Sequence, residues 1–434
     1  MTRADAVGLG VLSVCVGVAA WSGRVPAEGV AWRAVCVAAM VAAGGVSVWL
    51  ASRGRLSARV VLLAALGLRL LAFPMLPSLS DDAYRYLWDG RLVVDGVSPY
   101  ALLPDTPELA GFASERDNAL LLDRMNSPGV YSVYPPLSQA VFAAAGLAPT
   151  WTAGWFVLKA LLVLAELTGI LCLLRVLRPG AVALYALHPL AVIEVAGQGH
   201  TEGLLVGAVG VAVWGCLSGW RLVAGLGVVA AGAVKLFPFA GLALFVRRLR
   251  WRERAALGAA TLTVLAALVP GDGLRHVLES LRLYGGALDF YSAPFLALKA
   301  AAYPLLGEGA GRAASVALSA AWILAILGCS VRCTGTPRSM INGLLVVFVG
   351  YALVTPMLHP WNGLGALVLV PVMARRSPIL WLLGVAPLTY MRYVGFEGLY
   401  GLAVGVGWVG AGLLLLRSVW ASRSTVASAG ESHV

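Results

Sequence analysis

Two adjacent carboxylates, Asp81 and Asp82, follow an apolar stretch, Arg59 to Leu76, that is long enough to cross a bilayer. A carboxylate held there can take a proton from a hydroxyl group as that oxygen attacks an electrophile. Beside a second carboxylate its proton affinity rises, so one of the pair acts as the base while the other tunes it or holds a cation. A plainer reading is that Ser80-Asp81-Asp82 caps a helix. The neighbours Tyr84, Tyr86 and Trp88 read as an aromatic belt at a membrane surface. Further polar residues interrupt apolar runs: His200 and Glu202 in Gly197-Gln-Gly-His-Thr-Glu202, Lys235 before Leu-Phe-Pro238, His359 before Pro-Trp361, and Arg392. Each has its own plain alternative. Lys235 can snorkel from a helix end, the histidines can be hydrogen-bonded within a bundle, and Arg392 can pair with Glu397. Lys159 and Glu166, one heptad apart, read as a structural pair, whereas Glu194, two turns before His200, is harder to set aside.

The elements that must position these groups are apolar. The 434 residues are 60% hydrophobic and 12% charged, with mean hydropathy +0.85, which marks an all-α integral membrane protein. The net charge of +11 sits largely in short breaks between apolar runs, as the positive-inside bias requires, and this argues against nucleic acid as a partner. The six cysteines show neither zinc-ligand nor disulfide spacing. Candidate spans are Val7–Trp21, Val30–Leu50, Arg59–Leu76, Thr152–Leu174, Ala181–Gly197, Thr201–Gly219, Ala255–Pro270, Arg312–Val331, Ile341–Thr355, Trp361–Ala374, Pro378–Tyr390 and Leu399–Leu416.

Arginine clusters at 53–59, 175–178, 247–254, 332–338, 375–376 and 417–423 are expected on the cytoplasmic side, so an even number of crossings separates any two. Tyr134–Ala148, which opens on Pro135-Pro136, then cannot be a full crossing, and Arg221 to Arg247 must form a hairpin broken at Lys235-Leu-Phe-Pro238. The same parity puts Asp81, Asp82, His200, Glu202, His359 and Arg392 on one side, facing away from the arginines. The loop of about 55 residues from Pro77 to Tyr131 is long for a mere connection. It reads as carrying an amphipathic helix on the outer face, as does Gly271–Leu306, with Leu274, Val277, Leu278 and Leu281 on one stripe. Residues 1–420 form a single polytopic domain, and 421–434 read as a disordered tail. Neither a glycine-rich phosphate loop nor an internal repeat is present, which argues against a cytoplasmic nucleotide-using enzyme and against an inverted-repeat transporter.

These motifs resemble the GT-C superfamily of membrane glycosyltransferases, most closely glycosyltransferase family 87, over roughly 59–416. That family's outer-loop pattern of aspartate, tyrosine at +4, glycine at +14 and tyrosine at +18 is met by Asp82, Tyr86, Gly96 and Tyr100. The Tyr134-Pro-Pro136 turn, the run from His188 to Glu202, the Lys235-Leu-Phe-Pro238 break and His359-Pro-Trp361 are similar to features of bacterial members. Two departures stand out: Asp81 doubles the aspartate, and Thr201-Glu202 replaces an Asn-Asp pair.

The resemblance implies a multi-pass GT-C bundle of 12 to 15 membrane helices in the cell membrane, with an extracytoplasmic active site in the 77–131 loop. It implies transfer of a hexose, mannose foremost, from a polyprenyl-phosphate sugar to a lipid or glycan acceptor with inversion. Asp82 is then the base and Asp81 its neighbour. Lys235, His200, His359, Arg392, Tyr86, Arg85, Trp361 and Glu202 bind substrate, the cations meeting the charge that grows on the leaving phosphate. A single phosphate can be held by basic side chains, so no cofactor or metal is required, although Asp81, Asp82 and Glu202 would make an oxygen-rich site for a divalent ion. The alternatives are a lipid-linked-oligosaccharide flippase and an O-antigen ligase or polymerase.

Overall fold

The structure, a computed structural model, describes residues 2–22, 30–268, 271–284 and 288–431. Among them all regular structure is helical, apart from one isolated bridge between Phe290 and Met357. Among the described residues six stretches are long and apolar enough to cross a membrane: Arg3–Ser22, Val30–Ser52, Trp151–Leu174, Ala293–Arg332, Pro337–Val354 and Glu397–Ala421. Pro179–Ala186 and Pro189–Gly197, bent by 55°, make a seventh if taken as one broken span. The chain is a multi-pass membrane protein. The expected 12 to 15 membrane helices exceed what length and composition support, because proline and glycine cut several apolar runs into short pieces. Examples are Glu202–Leu217, Arg221–Gly232, Phe237–Val246 and Pro360–Val372. Of the expected span Ala255–Pro270, residues 269–270 lie outside the described residues.

Two expected breaks have physical form. Arg221 Nη1 donates to the carbonyl of Arg248 at 3.5 Å, so the chain leaves one end of the bundle and returns to it, with the turn at Ala233–Leu236 between the helical pieces. The helix Pro136–Gly146 has 11 residues, about 16 Å of axis and half of a hydrocarbon core. The Gly271–Gly311 stretch is more than a loop. The amphipathic helix Gly273–Tyr284 exposes Leu274, Leu278 and Leu281 while Val277 packs on Tyr100 and Leu268. The apolar helix Ala293–Leu306 then folds back on Ala310–Arg332 across Gly307, whose φ of +51° suits glycine. At the C-terminus the helix Glu397–Glu431 continues through most of the expected tail, and 432–434 lie outside the described residues.

The expectation that fails most clearly concerns the motif helix, Asp82–Val94. It does not lie on a surface: every residue from Ala83 to Leu92 is buried, and Tyr86 and Trp88, at 1% and 0% exposure, form no interfacial belt. The reason is a close crossing with Pro136–Gly146. A Cβ on Gly146 would stand 2.6 Å from the Gly90 backbone, and one on Gly90 would overlap the Phe142 carbonyl, so the two glycines let the backbones touch. The motif glycine Gly96 acts differently. Its φ of +76° ends the helix, with Val97 N bonding Leu92 O at 2.8 Å and Gly96 N bonding Val93 O at 3.1 Å, a Schellman closure.

Deeper in the bundle Glu166 binds Arg69 through two hydrogen bonds of 2.6 and 2.7 Å and accepts a third from Tyr185 Oη at 2.7 Å. Lys159 is not its partner, contrary to the heptad spacing: its Nζ is held by the carbonyls of Phe73 and Met75, the latter at 2.7 Å. Arg69 and Glu166 are 1% and 0% exposed, so removing one charge strands the other. Glu166→Gln should therefore cost about 3 to 5 kcal/mol and lower the thermal unfolding midpoint in detergent by several degrees. Tyr185→Phe, which loses one hydrogen bond, should cost about 1 kcal/mol. Equal midpoints for Glu166→Gln and the parent would mean that Arg69 finds water in the bundle.

Candidate active site

A cavity of about 1410 Å³ opens where the motif helix, the Lys235 break, the Thr355–Asn362 turn and the helix Ala310–Arg332 meet. Its polar wall carries Asp81, Asp82, Tyr86, Lys235, His359 and Asn362, and its apolar arm Leu236, Phe237, Trp322, Tyr351 and Val354. Such a cavity fits an amphiphile with a polar head.

Asp82 opens the motif helix and faces the cavity with 22% of its side chain exposed. Its backbone N–H is capped by Ser80 Oγ at 3.2 Å. Neither carboxylate of the doublet is spent on capping; Asp81 accepts instead from Asn126 Nδ2 at 2.6 Å. Tyr86 Oη donates to Asp82 Oδ2 at 3.3 Å, its ring stacked on Phe142 at 4.6 Å and edge-on to Tyr134 at 4.9 Å. Tyr100, the last residue of the motif, donates to the Tyr134 carbonyl at 2.6 Å, tying the end of the loop to the Pro135-Pro136 turn. Burial, and then repulsion from Asp82, pushes the Asp81 carboxyl up to about 6, and burial raises Asp82 against the lowering effect of His200 and Lys235.

Lys235 reaches the cavity from the helix break with 23% exposure, paired with Glu202 and donating to Asn362 Oδ1 at 2.9 Å. Glu202 and His200 lie beneath the wall with no exposed surface. His200 Nε2 stands 3.9 Å from Asp82 Oδ2 and Nδ1 3.0 Å from Glu194 Oε2, while Tyr390 Oη donates to Glu194 Oε1 at 2.7 Å. The local fold that achieves this is a π-helical turn at Ile193–Gly197 followed by Gly199 at φ +66°. A Cβ on Gly199 would lie 2.5 Å from the Trp155 ring, so only glycine allows the chain to turn His200 back toward Glu194.

An aromatic ladder continues from His200. Trp361 stacks between His200 at 4.2 Å and His359 at 4.4 Å, and His359 stacks on Phe290 at 4.3 Å. Tyr393 Oη and His359 Nδ1 are 3.2 Å apart. Burial pulls His359 down to about 3, so it offers the cavity a neutral ring rather than a charge.

Four sequence candidates are placed otherwise: His200 and Glu202 lie beneath the wall, and Arg392 and Arg85 are engaged elsewhere. Arg392 lies outside the cavity wall, with Nε 3.4 Å from Glu397 and its guanidinium 4.5 Å over Tyr400, the pairing that the sequence had offered as its alternative. Arg85 lines the cavity but spends Nε on Asp89 at 2.7 Å and Nη1 on the carbonyls of Ser127 and Val130 at 3.2 and 2.8 Å, bracing the opposite wall. Among the described residues no three His, Cys, Asp or Glu side chains are grouped to hold a metal; Asp81 and Glu202 are turned to Asn126 and Lys235. The sequence reading missed Arg33 and Arg124. Arg33 Nη2 donates to Ser78 O at 2.9 Å, and Arg124 lies 5.8 Å over Tyr84, both on the cavity wall. Arg33 was visible as a charge near the start of the Val30–Leu50 run. Arg124 and Asn362 carried no signal, since nothing in their spacing tells which loop residues meet.

Set against curated proteins, the chain finds no match. The family model described as glycosyltransferase family 87 matches residues 133–288, about a third of the chain. The matched segment holds the Tyr134-Pro-Pro136 turn, the run from His188 to Glu202 and the Lys235 break, and leaves out Asp82 and His359. Over that segment the chain is similar to glycosyltransferase family 87, which indicates a membrane glycosyltransferase.

Proposed function

We propose that the protein transfers a hexose, mannose foremost, from a polyprenyl-phosphate sugar to a lipid or glycan acceptor at the extracytoplasmic face of the cell membrane, with inversion at the anomeric carbon. The observation that carries this reading is the cavity itself: an open carboxylate, a cation at a helix break and an apolar arm share one space. Asp82 takes the acceptor hydroxyl proton while the acceptor oxygen bonds to the anomeric carbon. The bond from that carbon to the phosphate oxygen breaks, and its electron pair leaves with the lipid phosphate. Lys235, oriented by Glu202 and Asn362, meets the charge that grows on the phosphate. The neutral His359 ring supplies a hydrogen bond and, with Trp361, a flat aromatic wall for the sugar. The lipid chain follows Leu236, Phe237 and Trp322. The orientation rests on the arginine turns: Arg221, Arg248 and Gly335 meet, and a Cβ on Gly180 would lie 3.0 Å from Gly54.

The direct test is transfer from a synthetic polyprenyl-phosphate hexose in nanodiscs. Asp82→Asn keeps the size of the side chain but accepts no proton, so turnover should fall by at least about 100-fold with donor binding retained; turnover near the parent value would remove Asp82 as the base. Lys235→Ala should raise the donor KM by about tenfold or more, the loss of one charge-assisted bond. An unchanged KM would leave Lys235 a structural partner of Glu202.

Asp81 yields a pH prediction. Below about 6 it is neutral, and above that pH its charge faces an anionic donor. Donor KM should rise as pH passes upward through about 6, and in Asp81→Asn that step should vanish and the low-pH KM persist. A step of equal size in both proteins would assign it to another group.

A further inference from the structure

The imidazole that stands behind Asp82 does not line the cavity. Resting on the reading of Asp82 as the base, the geometry points to Glu194 and His200 as a buried positioning pair, with His200 held as an imidazolium between two carboxylates so that Asp82 stays ionised to receive the acceptor's proton. His200 is 0% exposed and absent from the cavity wall, so it cannot reach a phosphate there. Its two nitrogens face carboxylates on opposite sides, Glu194 Oε2 at 3.0 Å and Asp82 Oδ2 at 3.9 Å. In a neutral ring with its proton on Nδ1, the Nε2 lone pair would point at the lone pairs of Asp82. A second proton turns that repulsion into attraction. Among the described residues neither ring nitrogen makes a hydrogen bond and Glu194 Oε2 accepts none, so the two carboxylates face the ring as ion-pair neighbours.

The ring is also fixed in place. Trp361 stacks on one face at 4.2 Å and 10°, and the His200 backbone N–H bonds the Glu194 carbonyl at 2.9 Å. Glu194 is held in turn by Tyr390 at 2.7 Å, so a pair of hydrogen-bonded groups from separate segments aims one imidazole at one carboxylate. The proton balance is simple: the acceptor's proton ends on Asp82, His200 keeps both of its own, and release to solvent runs back through the cavity after the product leaves. His200 and Glu194 touch no reacting atom.

Other charges around the pair are accounted for. Asp82 also faces Asp81, Tyr86, Lys235 and Glu202, and Lys235 and Glu202 neutralise one another. His200 faces Glu202 and, across Trp361, His359. Behind Glu194 stand Tyr390, Cys36 and, beyond them, Arg33. Lys235 is therefore the one other cation close to Asp82, and it is shared with Glu202 and, in the proposed reaction, with the donor phosphate.

The test is the pH dependence of kcat for Glu194→Gln, with Tyr390→Phe as a milder variant that keeps the carboxylate. Without the Glu194 charge His200 gives up its extra proton, Asp82 loses its cation, and the acid limb of kcat should move to higher pH by about one unit, a tenfold loss at a fixed pH on that limb. Donor KM should stay within about twofold, because the pair lies outside the phosphate site. Tyr390→Phe should shift the limb the same way by less, and it decides the matter if Glu194→Gln does not fold. A limb that stays put or moves to lower pH in the folded variant overturns the inference. Asp82→Asn measured beside them separates the two levels: if it stays active the function proposed above fails, whereas if it is dead and the limb does not move, only the Glu194–His200 role fails.

Discussion

A charge buried in an apolar bundle must be paired, and the positions of the carboxylates follow from that constraint. Asp89, Glu166, Glu194 and Glu202 have no exposed surface, and each meets a cationic or hydrogen-bonding partner: Arg85 with Ser132 and Gln139, Arg69 with Tyr185, His200 with Tyr390, and Lys235. Five of these pairings join residues at least 33 positions apart, Asp89–Ser132, Asp89–Gln139, Arg69–Glu166, Glu194–Tyr390 and Glu202–Lys235, so they fix the relative placement of helices that hydrophobic packing alone would leave free to slide. Asp82 is what remains. It sits against the same network, with His200 Nε2 at 3.9 Å, but keeps 22% of its side chain open to the cavity.

Chemistry and stability thus share groups. Lys235 closes a helix break and is also the one cation of that break on the cavity wall, because the turn at Ala233–Leu236 leaves its stem directed outward. Trp361 separates two histidines that differ in kind: His200 sits between carboxylates, while His359 is pulled to the neutral state by burial and packs on Phe290. One aromatic ring divides the site into a charged floor and a neutral wall.

The motif of two tyrosines, a glycine and an aspartate is mostly architecture. Asp82 keeps 22% of its side chain exposed; Tyr86 hydrogen-bonds it, Gly96 stops the helix with a left-handed residue, and Tyr100 ties the loop to the Pro135-Pro136 turn. Gly90 and Gly146, which belong to no motif noted in the sequence, hold the motif helix against its neighbour by backbone contact. This explains why a helix read as lying on a surface is enclosed. Its hydropathy pattern suits a membrane interface and a protein interior equally well, since both bury the same aromatic face.

Composition and periodicity by themselves determined that the chain is helical and crosses a membrane several times, since twenty-residue apolar runs have no other stable state in water or lipid. Proline and parity located the half-length helix after Pro135-Pro136 and the hairpin at Lys235, because a missing N–H and a charge rule act locally. Asp82 was separable from Asp81 only through the resemblance to glycosyltransferase family 87, whose outer-loop pattern fits Tyr86, Gly96 and Tyr100 when counted from Asp82. The tertiary structure alone decided which charges are spent and which stay free. Glu166 pairs with Arg69, 97 residues away, rather than with Lys159, and Glu202 pairs with Lys235 rather than offering itself to a ligand. His200 belongs beneath the cavity and Arg33 on its wall. Sequence spacing reports neighbours within one helix; the partner of a buried charge is chosen by which helices meet, and that is settled by packing across the whole bundle.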